Sequence, residues 1–190
     1  MPLVTARLVL RFFEPADLGA FMSLYSEEDV VRYLYWEVLD EESGPARLEK
    51  RCEQRGLEQE GDVLALAVVL PAEERLIGDV VLKWESATHR QGEIGFTIHP
   101  DFQQRGYASE AGEALLRLGF GGLGLHRISA RCDARNYASA GVMRRLGMRE
   151  EAHFVENELF KGEWGDELVY AILEREWRAG QEEATASDPQ

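Results

Sequence analysis

Between residues 62 and 100 three apolar runs of strand length follow one another, "DVLALAVVL", "ERLIGDVVLKW" and "QGEIGFTIHP", separated only by short polar turns. Runs rich in Val, Leu and Ile and stopped by Pro71 and Pro100 read as strands. Connections this short can join only antiparallel neighbours, because a parallel crossover needs roughly a dozen residues or more. The middle of the chain is therefore an antiparallel meander, and the flanking segments have to pack against it.

Upstream, "RLVLRFF" (7–13) reads as a strand, and Pro15 is placed to open a helix over "EPADLGAFMSLYS". Residues 28–60 read as two helical pieces broken at "ESGP", where Pro45 opens the second. Downstream, Ala111, Ala114, Leu115 and Leu118 repeat at spacings of three and four, which predicts a helix from Ser109 to Phe120 with one buried stripe. "HRISARC" (126–132) alternates as a strand, Asn136–Leu146 returns to helical spacing, and two strands are expected near 148–158 and 166–173. No repeat or linker divides these elements, so residues 1–178 are read as a single domain and the polar segment 179–190 as a disordered tail. The fold class is α+β (mixed α/β), a mixed sheet flanked by helices.

The net charge of −14 disfavours a nucleic-acid partner, since phosphate neutralisation needs a basic surface. Charge is also uneven. Residues 101–149 hold eight arginines against four acids, a local +4, and the rest of the chain carries −18. A basic island of this kind suits a small anionic cofactor, whereas acidic surroundings suit a cationic substrate; the ordinary reading of "RR" at 144–145 is a solvated helix face. No window approaches the roughly 18 apolar residues of a membrane helix, and the apolar part of "MPLVTARLVLRFFEP" is too short for a signal peptide. The expectation is a cytoplasmic protein without a membrane partner. Cys52 and Cys132 have no CxxC spacing and His89, His99, His126 and His153 form no cluster, so neither a disulfide framework nor a metal site is expected.

Two glycine-bearing turns compete as phosphate cradles. "GFGGLG" (119–124) has the letters of a dinucleotide fingerprint but follows a predicted helix and precedes a strand, the reverse of the required order; it reads as left-handed glycines at a helix C-terminus. "FQQRGYASEA" (102–111) follows a strand and opens a helix near Ala108 or Ser109. A helix start exposes unpaired N–H groups with partial positive charge, and Gly106 lets the backbone come close to a ligand. Arg105 adds charge at the rim and Ala108 keeps the approach narrow. An ordinary turn with a Ser109 cap has the same local letters.

Several segments together resemble the GCN5-related N-acetyltransferases (GNAT). "QQRGYA" is similar to the family's Q/R-x-x-G-x-G/A acyl-CoA loop through Gln103, Gly106 and Ala108. "NYASAGVMRRLGM" (136–148), "TARLVLRFFEPADL" and "GEIGFTIHP" resemble segments of the branch typified by the RimJ/RimL ribosomal-protein N-terminal acetyltransferases. The likeness covers about residues 5–175, with Ala108 standing where the loop often has glycine and Met148 where the segment usually has Phe. It implies a mostly antiparallel, seven-stranded sheet with a V-shaped split between strands 4 and 5. Acetyl-CoA would be the cosubstrate, with no metal. Its pyrophosphate would take the backbone N–H groups of Gln104 to Ala108, within a cradle formed by Gln103, Gln104, Arg105, Gly106, Tyr107, Ala108 and Ser109. Its pantetheine arm would pair with the main chain around Phe96, Thr97 and Ile98. Asn136 would hold that arm, and Ser139 would serve the departing thiolate. Glu158 is the expected base, with Glu93 or a water relay as rivals. The acceptor would be a primary amine, either a protein N-terminus or a small, preferentially cationic molecule, attacking the thioester directly. Residues 30–60 and the loop "FKGEWGDE" would set its choice, and members of this branch are often homodimers. A non-catalytic CoA-binding sensor or interaction module is the alternative, which the intact Asn136 and Ser139 speak against.

Overall fold

The structure, a computed structural model, describes residues 2–186. The meander forms as expected: β3 (Val63–Leu70), β4 (Arg75–Ser86) and β5 (Gln91–Ile98) pair antiparallel in sequence order. β2 (Val9–Arg11) adds to β3, and β1 (Leu3–Val4) adds to β2. On the other side β6 (Arg127–Asp133) joins β5 in parallel, and the long hairpin of β7 (Arg149–Phe160) and β8 (Glu163–Leu173) closes the sheet in the order β1-β2-β3-β4-β5-β6-β8-β7. The sheet has eight strands rather than the seven expected. The addition is β1, whose two residues are too few to show a period of two.

Helices cover both faces. α4 (Tyr107–Arg117) and α5 (Tyr137–Arg145) lie over one core, in which Ala111, Leu115, Leu116, Ala140 and Met143 are buried against Val80, Leu82, Ile94, Ile98, Ile128 and Tyr170. α1 (Leu18–Tyr25), α2 (Glu28–Val31) and α3 (Ser43–Glu53) lie over a second core built on Phe13, Phe21, Tyr25, Leu48, Ala65 and Ala67. Beneath α3, the Arg51 guanidinium lies 2.7 Å from the buried Asp79 carboxylate of β4. Burial pushes that carboxyl above the ordinary range, against the pull of Arg51.

Three expectations need correcting. The region 28–60 is not two long helices: α2 is a single turn, residues 32–42 form an irregular loop, and regular structure ends again after Glu53. "FKGEWGDE" is no loop, because Lys161 and Gly162, both with positive φ, make a tight turn between two long strands. Nor does disorder begin at 179. α6 (Glu174–Ala186) continues through it, docked by Trp177, which packs on Phe120 at 5.4 Å and donates to Glu113 at 3.1 Å. Residues 187–190 of the expected tail lie outside the described residues. At "GFGGLG" the chain does end a helix, yet of its glycines Gly124 alone takes a left-handed φ, +64°.

Candidate functional site

The parallel register between β5 and β6 runs Gln91–Arg127, Gly92–Ile128 and Glu93–Ser129 and stops there. Both strands continue, β5 to Ile98 and β6 to Asp133, so the sheet splits at the place expected, with β5 and β6 as the predicted strands 4 and 5. His99 N–H bonds Ile77 C=O on the β4 side. Because main-chain groups alternate sides along a strand, Phe96 and Ile98 turn theirs toward the split and Thr97 toward β4. Gln103 comes from the split side, its Nε2 donating to Ile98 O at 2.9 Å. Its side chain therefore holds the turn.

After β5 a short turn, Pro100–Phe102, leads into Gln104 (φ +60°) and Gly106 (φ +82°), and α4 begins at Tyr107. Gly106 is the N-cap residue; a side chain there would be strained by its φ of +82°, while an added Cβ would lie 3.4 Å from Arg7 Nη2, in ordinary contact. The first backbone bond of α4 is Glu110 N–H to Gly106 C=O. Tyr107, Ala108 and Ser109 thus present their N–H groups ahead of the helical ladder, as an anion site requires. Ser109 stands in the first turn, not at the cap, and its hydroxyl takes a hydrogen bond from Arg145 at 3.2 Å. Arg105 lies over the Phe102 ring at 5.4 Å.

Arg7 is the functional candidate that residue-by-residue reading missed. Its guanidinium donates to Glu110 at 2.7 Å and to Arg105 C=O at 3.0 Å, and stacks on Tyr107 at 4.5 Å. Partial burial pulls the Glu110 carboxyl upward, but Thr5 and Arg7 hold it below the usual carboxylate range. The signal was present in the "TARLVLR" opening, where Arg7 served only to recognise the family and no contact with the loop 98 residues later could be read.

Asn136 caps α5, its Oδ1 accepting from Ser139 N–H at 3.0 Å. That leaves the Nδ2 donors as what this side chain can offer a ligand. Asn136 and Ser139 are half-buried at the end of β6, beside the split.

The remaining predicted residues lie on the sheet face covered by α1–α3. Directly paired residues share a face. Glu93 pairs with Ser129, Arg131 with Val169 and Glu158 with Gly165, so Glu93, Arg131, Glu167 and Glu158 form one surface running outward from the split. Arg131 bridges Glu93 (2.9 Å) and the buried Glu167 (3.6 Å), which also accepts from Asn157 at 3.0 Å. Burial raises the Glu93 carboxyl and Arg131 opposes it. Glu158 has a different partner: the Tyr35 hydroxyl lies 2.9 and 3.1 Å from its two oxygens. The loop that carries Tyr35 is fastened further by Tyr33 to Arg135 C=O (3.5 Å) and by Lys161 to Glu37 (3.4 Å), and Lys161 also reaches Val31 C=O (2.9 Å) at the end of α2. An adjoining cavity of about 310 Å³ is lined by Arg32, Tyr33, Arg135, Phe160, Lys161 and Glu163.

The split thus joins a helix start with unpaired N–H groups on one face of the sheet to a carboxylate-rich surface on the other. Comparison with known proteins gives the family. Residues 7–149 match the model of the acetyltransferase (GNAT) domain. An uncharacterised N-acetyltransferase of Bacillus subtilis (strain 168), YnaD, is 38% identical over 178 residues, 93% of this chain and 99% of that protein. The [ribosomal protein uS5]-alanine N-acetyltransferase of Escherichia coli (strain K12) is 26% identical, over 94% and 93%. The crystal structure of a GNAT acetyltransferase from Bacillus anthracis superposes with a TM-score of 0.83 at 35% identity, covering 92% and 99%. The spermidine N-acetyltransferase of Vibrio cholerae, solved with CoA and spermine, shares the fold at 24% identity and a TM-score of 0.76, over 92% and 99%. The chain belongs to the GNAT acetyltransferases. It is an N-acetyltransferase, and acetyl-CoA is its cosubstrate.

Proposed function

We propose that this enzyme acetylates the primary amine of a slender, cationic small molecule, with Glu158 as base and Ser139 as the hydrogen donor to the departing sulfur. One observation carries the reading: β5 and β6 part immediately after Glu93–Ser129, so the cradle opening α4 and the Glu158 surface lie on opposite faces of one gap. The residues present fit acetyl-CoA. The N–H groups of Tyr107, Ala108 and Ser109, with Arg7 and Arg105 beside them, suit a pyrophosphate; the main chain of Phe96 and Ile98 and the Asn136 Nδ2 suit an amide-bearing arm. Phe96 N–H is a candidate donor to the thioester oxygen.

When bound, acetyl-CoA supplies an activated acetyl group whose carbonyl carbon accepts an amine and whose sulfur leaves as the thiol. Glu158 takes one proton from the incoming ammonium, freeing the lone pair that forms the C–N bond. As the C–S bond breaks, Ser139 donates at the sulfur and is repaid by the second proton leaving the amine nitrogen. Glu158 returns its proton to solvent, so the sum is an amide, a thiol and one proton. Glu158 is preferred to Glu93 because Glu93 is engaged by Arg131, whereas Glu158 is bonded by a neutral phenol that leaves its negative charge intact.

The loop fastened at Tyr33, Tyr35 and Glu37 narrows the acceptor face, which favours a slender amine over a folded protein end, and Glu93, Glu158 and Glu167 outnumber Arg131 on that face. The RimJ/RimL branch and a protein N-terminus as acceptor form the second reading, supported by the relative named for uS5-alanine acetylation. Thiol release from acetyl-CoA, measured over a panel of polyamines, amino acids, aminoglycosides and N-terminal peptides, tests both. Turnover of linear polycations only is the expected result; turnover of peptides only would overturn it.

A further inference from the structure

Tyr35 is unusual among the aromatic residues. It is 73% exposed, on an irregular loop, yet its hydroxyl is fixed on one carboxylate 123 residues away in sequence. Its ring is fixed as well, meeting the buried Phe160 edge-on with centroids 5.5 Å apart. Two separate contacts therefore set the position of one side chain. An exposed tyrosine kept for solubility needs neither of them.

We infer that Tyr35 is the positioning residue of the acetyl-transfer base: its phenol, braced on Phe160, holds the Glu158 carboxylate in one orientation toward the split. The inference rests on the assignment of Glu158 as base. The physical case is one of alternatives. A carboxylate on a half-exposed strand rotates about its terminal torsion, and a base has to meet its proton within hydrogen-bond reach. A guanidinium could fix it, as Arg131 fixes Glu93, but the fixed positive charge would repel an approaching ammonium and lower the proton affinity of the carboxylate, weakening it as a base. A phenol supplies the hydrogen bond without the charge. Tyr35 stays a donor throughout the working range, because burial of its hydroxyl, then Glu158 and Glu167, push it up to about 12 against the opposing pull of Arg131. The charged groups that reach this hydroxyl are thus Glu158 on β7, Glu167 on β8 and Arg131 on β6, with Glu93 on β5 joined through Arg131.

The experiment is a kinetic cycle on the full chain with wild type, Tyr35→Phe, Glu158→Gln and the double variant, reading kcat, both KM values and the melting temperature. It uses the best amine of the panel above. Tyr35→Phe keeps the ring on Phe160 and removes only the donor, so kcat should fall about tenfold, the scale of a hydrogen bond to a charged group. KM for acetyl-CoA and the melting temperature should not move. In the Glu158→Gln background the same change should cost less than about twofold, because the group it positions can no longer act. An equal loss in both backgrounds, or a loss accompanied by a lower melting temperature, would overturn the inference. An unchanged Tyr35→Phe beside a disabled Glu158→Gln would overturn it and leave the base assignment standing. Full activity of Glu158→Gln would remove the base assignment itself, which that variant reads alone.

Discussion

The two ends of the site are built from different materials. On the proposed cofactor side the groups on offer are main-chain N–H donors at the start of α4 and the edge of β5, set by two left-handed residues and one strand end. On the proposed acceptor side they are side chains from a loop, β5, β6, β7 and β8, brought together across more than 120 residues. A backbone site tolerates change in side chains and fails when the chain's path is altered. A side-chain site fails one residue at a time.

The sharpest way to break this contrast is at Gly106. A Val there meets the φ of +82° with a branched side chain, and affinity for acetyl-CoA, read by calorimetry, should fall by about two orders of magnitude or more. Ala108→Ser, a side-chain change in the same cradle that keeps the path, should stay within a few-fold. Glu158→Gln is the counterpart on the acceptor face. It should lower kcat by roughly 10² to 10³ with binding of acetyl-CoA unaltered, and Glu93→Gln should do much less. Ser139→Ala should cost kcat about tenfold, since a water can replace a weak donor. Arg7→Ala tests the side chain that ties the loop to α4; a loss of acetyl-CoA affinity of about tenfold is expected, with little change in KM for the amine.

The smallest effect is one of pH. Glu110 is held below its ordinary value of 4.5 by Thr5 and Arg7, so the stability it contributes is fully present above 4.5 and is lost as pH falls through the lower folded value. The melting temperature should therefore decline on acidification below about pH 4.5, and Glu110→Gln should flatten that decline. A parallel decline in both proteins would remove the tie between Arg7 and the loop from the account.

Sequence by itself determined the half of the molecule whose information is local. The meander is a matter of short turns and apolar runs, α4 and α5 of spacing, and the cradle of a glycine between a strand and a helix; each is readable because the contacts that make it lie within a few residues. It missed Arg7 and Tyr35 because a hydrogen bond to a residue about a hundred positions away leaves no periodic mark. It also misread residues 32–42, whose shape comes from the ties of Tyr33, Tyr35 and Glu37 to other elements and not from any helical preference. The face of Glu158 shows the limit most plainly. Glu150 and Glu158 are both even-numbered, and in a regular strand they would share the face of Tyr170, against α4 and α5. The register slips by one residue between Glu150 and Ala152, so that Glu150 opposes Tyr170 but Ala152 opposes Val169; the later irregularity between Phe154 and Glu158 keeps the new side. One extra residue in a strand turns every side chain after it to the opposite face. Packing of β7 against β8 decided where that residue falls, and with it which side of the sheet carries the proposed base.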